Sequence, residues 1–252
     1  MLYFIIIIAN VIVGALVGLT GVAGFLLPML YAGSLGMSVA QGLSLSFSAF
    51  VLSGILGAIN YKKVGNMDVP FGIRLSIGSF LGSVIGVQLN LIIPEEKVKI
   101  LLYVVVLLSG ISILIRKDKE TAEQKEGFLI KDHFILTLIL GFVTGGICAL
   151  SGAGGPVLVM PLLVVFGIPV RTAVGVALFN SIFIGIPACI GYMTNCDIKA
   201  LLPIMVIALL AHGIGVYYGS VNAVKINQKV LKKGIAIFSI FIAIWKLYSI
   251  FF

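Results

Sequence analysis

The sequence predicts an all-α polytopic integral membrane protein built from two homologous repeats, each interrupted by a glycine-rich helix break. Three observations carry this expectation. Hydrophobic residues make up 60% of the 252 residues and charged residues only 10%, and the mean hydropathy of +1.22 lies far outside the range of water-soluble domains. Apolar stretches close to the length of a bilayer crossing recur along the chain. Finally, the stretch Gly152-Ala153-Gly154-Gly155-Pro156, with Pro161 after it, returns in altered form as Gly21-Val22-Ala23-Gly24 with Pro28.

In the first half the apolar segments run 2–19, 22–37, 43–60, 70–92 and 98–115; in the second, 133–150, 155–168, 173–193, 198–219 and 231–251. Most reach the ~20 residues that cross ~30 Å of hydrocarbon. The second of each half does not, because ~14 to 16 residues at about 1.5 Å each give only about 21 to 24 Å. The expected plan is therefore eight full spans plus two short or re-entrant segments. The run 2–19 has no basic leading region and no cleavage site, so it reads as a first span rather than a removable signal. Asp68 and Asp197 fall in equivalent short loops, where they can cap the helices starting near Pro70 and Ile198. Glu95, Glu96, Lys97 and Lys99 mark another helix start.

The two breaks reveal a duplication. Shifting the chain by 131 places Gly14 on Gly145, Leu19 on Leu150, Thr20 on Ser151, Gly21 on Gly152, Ala23 on Gly154 and Gly24 on Gly155. At a shift of 133, Pro28 falls on Pro161, Ala40 on Ala173, Gly42 on Gly175, Ser48 on Ser181 and Pro70 on Pro203. The triplet Gly78, Gly82, Gly86 falls on Ala211, Gly215, Gly219, two small-residue ladders that suit close helix approach. The repeats are thus 1–115 and 133–252, joined by a charged, solvated linker over 116–132 placed in the cytoplasm.

The glycine-rich break followed by an apolar run and a proline, in Gly21 through Pro28 and again in Gly152 through Pro161, resembles the TauE/SafE sulfite exporter family, and the resemblance covers nearly the whole chain. It implies a multi-spanning carrier of sulfur-containing anions such as sulfite, thiosulfate or sulfonates. The first copy has a sparser glycine run than the family's usual pattern, so the two halves need not contact substrate equally.

The charges set orientation. A net charge of +8 would suggest nucleic acid in a soluble chain, but here the charges lie between spans and report topology. If the short segments cross, each half has five crossings and the halves are inverted. Thirteen basic residues then share the inner side, and Lys97, Lys99, Lys199 and Lys246 remain outside with both termini. If the short segments are re-entrant, the halves are parallel and the best split is 10 against 7. The positive-inside rule favours inversion, the common plan of secondary transporters.

Glycine and proline interrupt helices, and irregular backbone at membrane depth is tolerated only inside protein or along a wet cavity. The breaks at Gly21, Gly24, Gly152, Gly154 and Gly155 offer unpaired N–H groups at a helix start, where the dipole favours an anion. Thr20 and Ser151 stand just before the breaks, where a hydroxyl can donate to an anion or cap the next helix. Ser44 and Ser48 are four apart on one helix face, and Asn180 with Ser181 matches them in the second half. The bland alternative for these groups is bonding back to their own helix. His212 lies within a span beside the second ladder; it could relay protons, although a lone histidine more often bonds a neighbouring helix.

Cys148, Cys189 and Cys196 lack metal-ligand spacing, and no phosphate-binding Gly-x-x-x-x-Gly-Lys-Ser/Thr motif occurs, so no cofactor is expected. A membrane-embedded enzyme would need carboxylates, histidines or an activated nucleophile clustered inside the spans, and the sequence offers none. The expected function is secondary transport of a small anion across the cell membrane, compatible with H+ or Na+ coupling and without nucleic acid. An anion channel or a carrier of other organic anions is the alternative.

Overall fold

The computed structural model describes residues 2–21, 23–115, 130–222 and 228–251; most of the expected linker, 116–129, lies outside the described residues. These residues form helices α1 (Leu2–Thr20), α2 (Ala23–Ser34), α3 (Val39–Lys63), α4 (Val69–Ile92), α5 (Glu95–Ile115), α6 (Phe134–Ser151), α7 (Gly155–Val165), α8 (Val170–Met193), α9 (Ile198–Asn222) and α10 (Gln228–Phe251), and no strand is found among them. Six of them, α1, α3, α4, α6, α8 and α9, are long and apolar enough to cross a membrane by length and composition. The other two long helices, α5 and α10, have 21 and 24 residues. Helices α2 and α7 are the two short segments.

Local chemistry sets the helix ends. Ser38 and Gln41 form a reciprocal capping box at the start of α3. The Asp68 carboxylate accepts from the Phe71 N–H at 3.1 Å, and Asp197 accepts from the Lys199 N–H at 3.1 Å, the capping roles that their loop positions suggest. The outer surface is apolar: Phe4, Ile12, Leu81, Ile139, Leu210 and Phe241 are all exposed. In water so wide an apolar surface would aggregate, whereas hydrocarbon solvates it.

The small-residue ladders pack the helices backbone to backbone. A Cβ added at Gly78 would overlap the Leu138 carbonyl, one at Gly82 the Phe142 carbonyl, and one at Gly86 the Gly146 carbonyl. The partners rise in step, so α4 and α6 run parallel. Across the molecule Gly14 meets His212, Gly18 meets Val216, and Gly219 meets Ala15, so α1 and α9 also run parallel. Helices α3 and α8 run the other way past each other: Gly185 packs on Phe47, Ser181 on Phe50, Leu178 on Gly57 and Gly175 on Tyr61.

Hydrogen bonds gather the termini of these helices at two ends. At one, Asn60 Nδ2 donates to Ser220 Oγ at 2.6 Å, Arg74 Nη1 donates to the Lys131 carbonyl at 3.1 Å, and Asn66 lies against Gly175. At the other, the Val39 N–H donates to Glu95 Oε1 at 3.4 Å and Lys246 Nζ donates to the Gly33 carbonyl at 3.2 Å.

Candidate functional site

The breaks differ in detail, and the sequence explains why. Gly21 and Gly152 both take positive φ, 74° and 77°, a conformation glycine adopts without the Cβ penalty, and both close their helix by an N–H bond four residues back, to the Val17 and Cys148 carbonyls. In the second copy Gly154 is also left-handed, at φ 80°, and serves as the N-cap of α7 with Pro156 in its first turn. Its counterpart Ala23 instead enters a 3-10 turn over Ala23–Phe25, which passes through one α-turn to π-helical geometry over Met29–Ser34. Alanine suffices in the first copy because no second left-handed residue is required there.

The two breaks, far apart in sequence, meet around one aromatic ring. Phe50 on α3 stands between them: a Cβ at Gly24 would come within 2.7 Å of Phe50 Cε1, and one at Gly154 within 2.9 Å of Cε2 on the opposite edge. The small cavity at this junction is lined by Val17, Gly21, Gly24, Phe50, Ser53, Ala153, Gly154, Pro156, Val157 and Ser181. It has room for about one water molecule, so the ring fills the space between the glycines. Phe47 packs edge-on against Phe50, with centroids 5.5 Å apart, and stacks on Tyr192.

Polar groups surround the ring. The Phe50 carbonyl accepts from the hydroxyls of Ser53, at 3.2 Å, and Ser181, at 3.3 Å, and Ser181 also donates to the Leu178 carbonyl at 2.7 Å. The first N–H groups of α7 have no carbonyl one turn back to bond, which leaves positive dipole ends beside the cavity. Ser151 Oγ accepts from the Ala153 N–H at 3.3 Å, so it caps the break. Thr20 donates to the Leu16 carbonyl at 2.7 Å.

The expected site residues therefore separate by place. Gly21, Gly24, Gly154 and Ser181 line the cavity, and Gly155 packs directly behind it against Ser181. Gly152 packs on Leu43 and Pro28. Ser44 donates to the Ala40 carbonyl and lies 3.9 Å from Cys196, and Ser48 donates to the Leu45 carbonyl; neither lines the cavity. Asn180 does not line it either, yet the side chain is completely buried and both amide atoms lack a partner. An unmet buried amide is costly, and in this Asn180 differs from Ser44, Ser48 and Ser181, whose hydroxyls are all bonded to carbonyls. Phe50 and Ser53 escape the sequence reading. The only sign available there was the position of Ser53 one turn beyond Phe50 on the serine-rich helix.

Known proteins resemble the chain over its length. The model of the family described as "Sulfite exporter TauE/SafE" matches residues 5–245. The "Probable membrane transporter protein YdhB" of Bacillus subtilis is 27% identical over 237 residues, covering 92% of this chain and 94% of that protein. A "Probable membrane transporter protein" of Haemophilus influenzae is 28% identical over 260 residues, covering 94% and 95%. No solved structure matches.

Proposed function

Because this chain belongs to the sulfite exporter TauE/SafE family, we propose that it is a secondary transporter of small sulfur-containing anions, such as sulfite, thiosulfate or sulfonates, working by alternating access around the cavity where its two glycine-rich breaks meet. The chain is a multi-pass transporter of the cell membrane and not an enzyme, as its family and relatives are. The observation that carries the alternating-access site is the placement of Gly24 and Gly154 on opposite edges of the Phe50 ring. A site built from both repeats and blocked by one side chain is what a rocking carrier needs, since relative movement of the halves frees the ring and exposes the hydroxyls of Ser53 and Ser181. An oxyanion is then held by neutral donors and helix dipoles.

Inverted repeats with ten crossings complete the reading, and the antiparallel packing of the equivalent helices α3 and α8 supports it. So does the proximity of Asn66 to Gly175, which places the α3–α4 turn beside the start of α8. The inverted plan puts Lys63 and Arg171 on one side of the membrane; the parallel plan puts them on opposite sides. Cysteines substituted at both positions should be shielded from an impermeant thiol reagent in intact cells, while one at Lys97 is labelled. Labelling at only one of Lys63 and Arg171 would establish the parallel plan. For the substrate class, the purified protein should gain thermal stability with sulfite, thiosulfate or a sulfonate and not with carboxylates. The opposite ranking would move the assignment to organic acids.

A further inference from the structure

A second buried polar cluster lies at the seam between α1 and α9, outside the cavity. Asn10 and His212 are both 0% exposed. The parallel register that sets Gly14 against the His212 carbonyl and Gly215 against the Val11 carbonyl brings them to one level, and the imidazole faces the Asn10 backbone. Asn10 Nδ2 donates to the Ile6 carbonyl at 2.8 Å and to Tyr31 Oη at 2.6 Å. Asn10 Oδ1 and both ring nitrogens of His212 have no hydrogen-bond partner. Tyr31, also 0% exposed, belongs to the π-helical stretch of α2, a geometry that frequently marks functional positions.

We propose that Asn10, Tyr31 and His212 form the proton-binding site that couples transport to a proton gradient. His212 accepts one proton on its free ring nitrogen from water on one side of the membrane and returns it on the other; Asn10, whose backbone the ring faces, supplies the acceptor that holds the charged ring, and Tyr31 Oη fixes the Asn10 amide. Carried in the same direction, a proton cancels the charge of a monovalent anion, and so lowers the cost of moving charge through hydrocarbon.

Among the described residues of α1, α3 and α9, the other titratable groups stand away from His212, and near Tyr31 the Gly33 carbonyl accepts from Lys246 Nζ at 3.2 Å. Helix α1 carries no Asp, Glu, Lys or Arg, and its titratable group is Tyr3, exposed near the chain start. On α9 the charged residue is Lys199, thirteen positions from His212 and so about 20 Å away along the axis. Tyr217 and Tyr218 on the same helix are exposed. On α3, which also packs against α9, Gly213 meets Leu52; Tyr61, Lys62 and Lys63 lie nine or more positions beyond, roughly 14 Å.

The cluster also has a mechanical path to the cavity. Asn10 and the cavity-lining Val17 are seven positions apart on one face of α1, about 10 Å. Tyr31 shares α2 with Gly24, which abuts Phe50. Movement of the ring against Gly24 therefore shifts the helix that holds Tyr31 to Asn10. The inference assumes that the chain is a transporter but not which anion it carries.

The chain has two histidines, so a His133→Gln background leaves His212 as the single imidazole signal. In nanodiscs, nitrogen NMR should show this ring passing reversibly from neutral to charged as the pH is lowered, with Tyr31→Phe and Asn10→Ala each displacing the midpoint. A ring that stays neutral throughout, or a midpoint that neither variant moves, would overturn the proposal. In proteoliposomes an inward gradient of methanesulfonate, which is permanently ionised, should acidify the lumen. His212→Gln should keep methanesulfonate exchange but lose the acidification by about tenfold or more, and acidification at the wild-type rate would refute the role. If wild-type protein moves no methanesulfonate, the proposed substrate class fails, and the NMR titration by itself decides the proton site.

Discussion

Gly154→Leu should reduce transport by about 100-fold or more, the equivalent of about 3 kcal/mol, while the protein still inserts and folds. Two costs act together. Gly154 sits at φ 80° and ψ 149°, a region essentially limited to glycine where a side chain costs roughly 1 to 3 kcal/mol, and its Cβ would press to within 2.9 Å of Phe50. The added branches then occupy the space the ring must enter or leave. Gly21→Leu should act in the same direction through φ 74° and the contact of its Cβ with Val174 Cγ1 at 2.7 Å. Uptake in proteoliposomes, alongside a monodisperse elution profile, measures both halves of this statement. Normal transport by both variants would remove the breaks from the site.

Gly82→Leu should fail in the opposite way, by destroying the fold. Its Cβ would overlap the Phe142 carbonyl and lie 2.9 Å from the Gly146 nitrogen. Backbone atoms cannot swing aside as a ring can, so α4 and α6 must separate along their length. Overpacking typically costs about 1 to 3 kcal/mol and occasionally more, the larger cost applying where the clash is with backbone, and association in a bilayer relies on such close contact. The variant should not accumulate, or should melt well below wild type. Gly234→Ala on α10, where an added Cβ meets nothing within 4 Å, should not lower stability, since alanine is favoured over glycine inside a helix, and serves as the control.

The long apolar helices, the breaks and the ladders were legible because each is a local or periodic signal. Hydropathy marks a span, two copies of one motif mark a repeat, and glycine every fourth position marks a contact face. The caps at Asp68 and Asp197 were legible for the same reason. What could not be read is where separate elements meet. Phe50 is one apolar residue inside an apolar helix, and its importance arises only when α2 and α7 are brought to its two edges. Ser44 and Ser48 show the same gap in another form. Spacing placed them on one face of α3 but could not give depth, and the cavity lies further along, at Phe50 and Ser53. Asn10 stayed hidden because the side chain that pairs with it, Tyr31, comes from α2. The difference between Ala23 and Gly154 was visible as a sparser motif, but only the backbone angles tie it to a missing left-handed residue.

Whether the anion is held by neutral groups at the breaks is decided by measuring sulfite binding to purified Ser181→Ala, Asn180→Ala and Arg74→Gln variants. Arg74 lies at an end of the bundle, where it donates to the Pro70 and Lys131 carbonyls. Neutral donors contribute about 1 to 2 kcal/mol each, so Ser181→Ala and Asn180→Ala should each weaken binding by roughly 5- to 30-fold, and Arg74→Gln should bind as wild type does. Loss of binding in Arg74→Gln, with both other variants intact, would place the anion on a charge at the end of the bundle and contradict a site at the meeting of the two breaks.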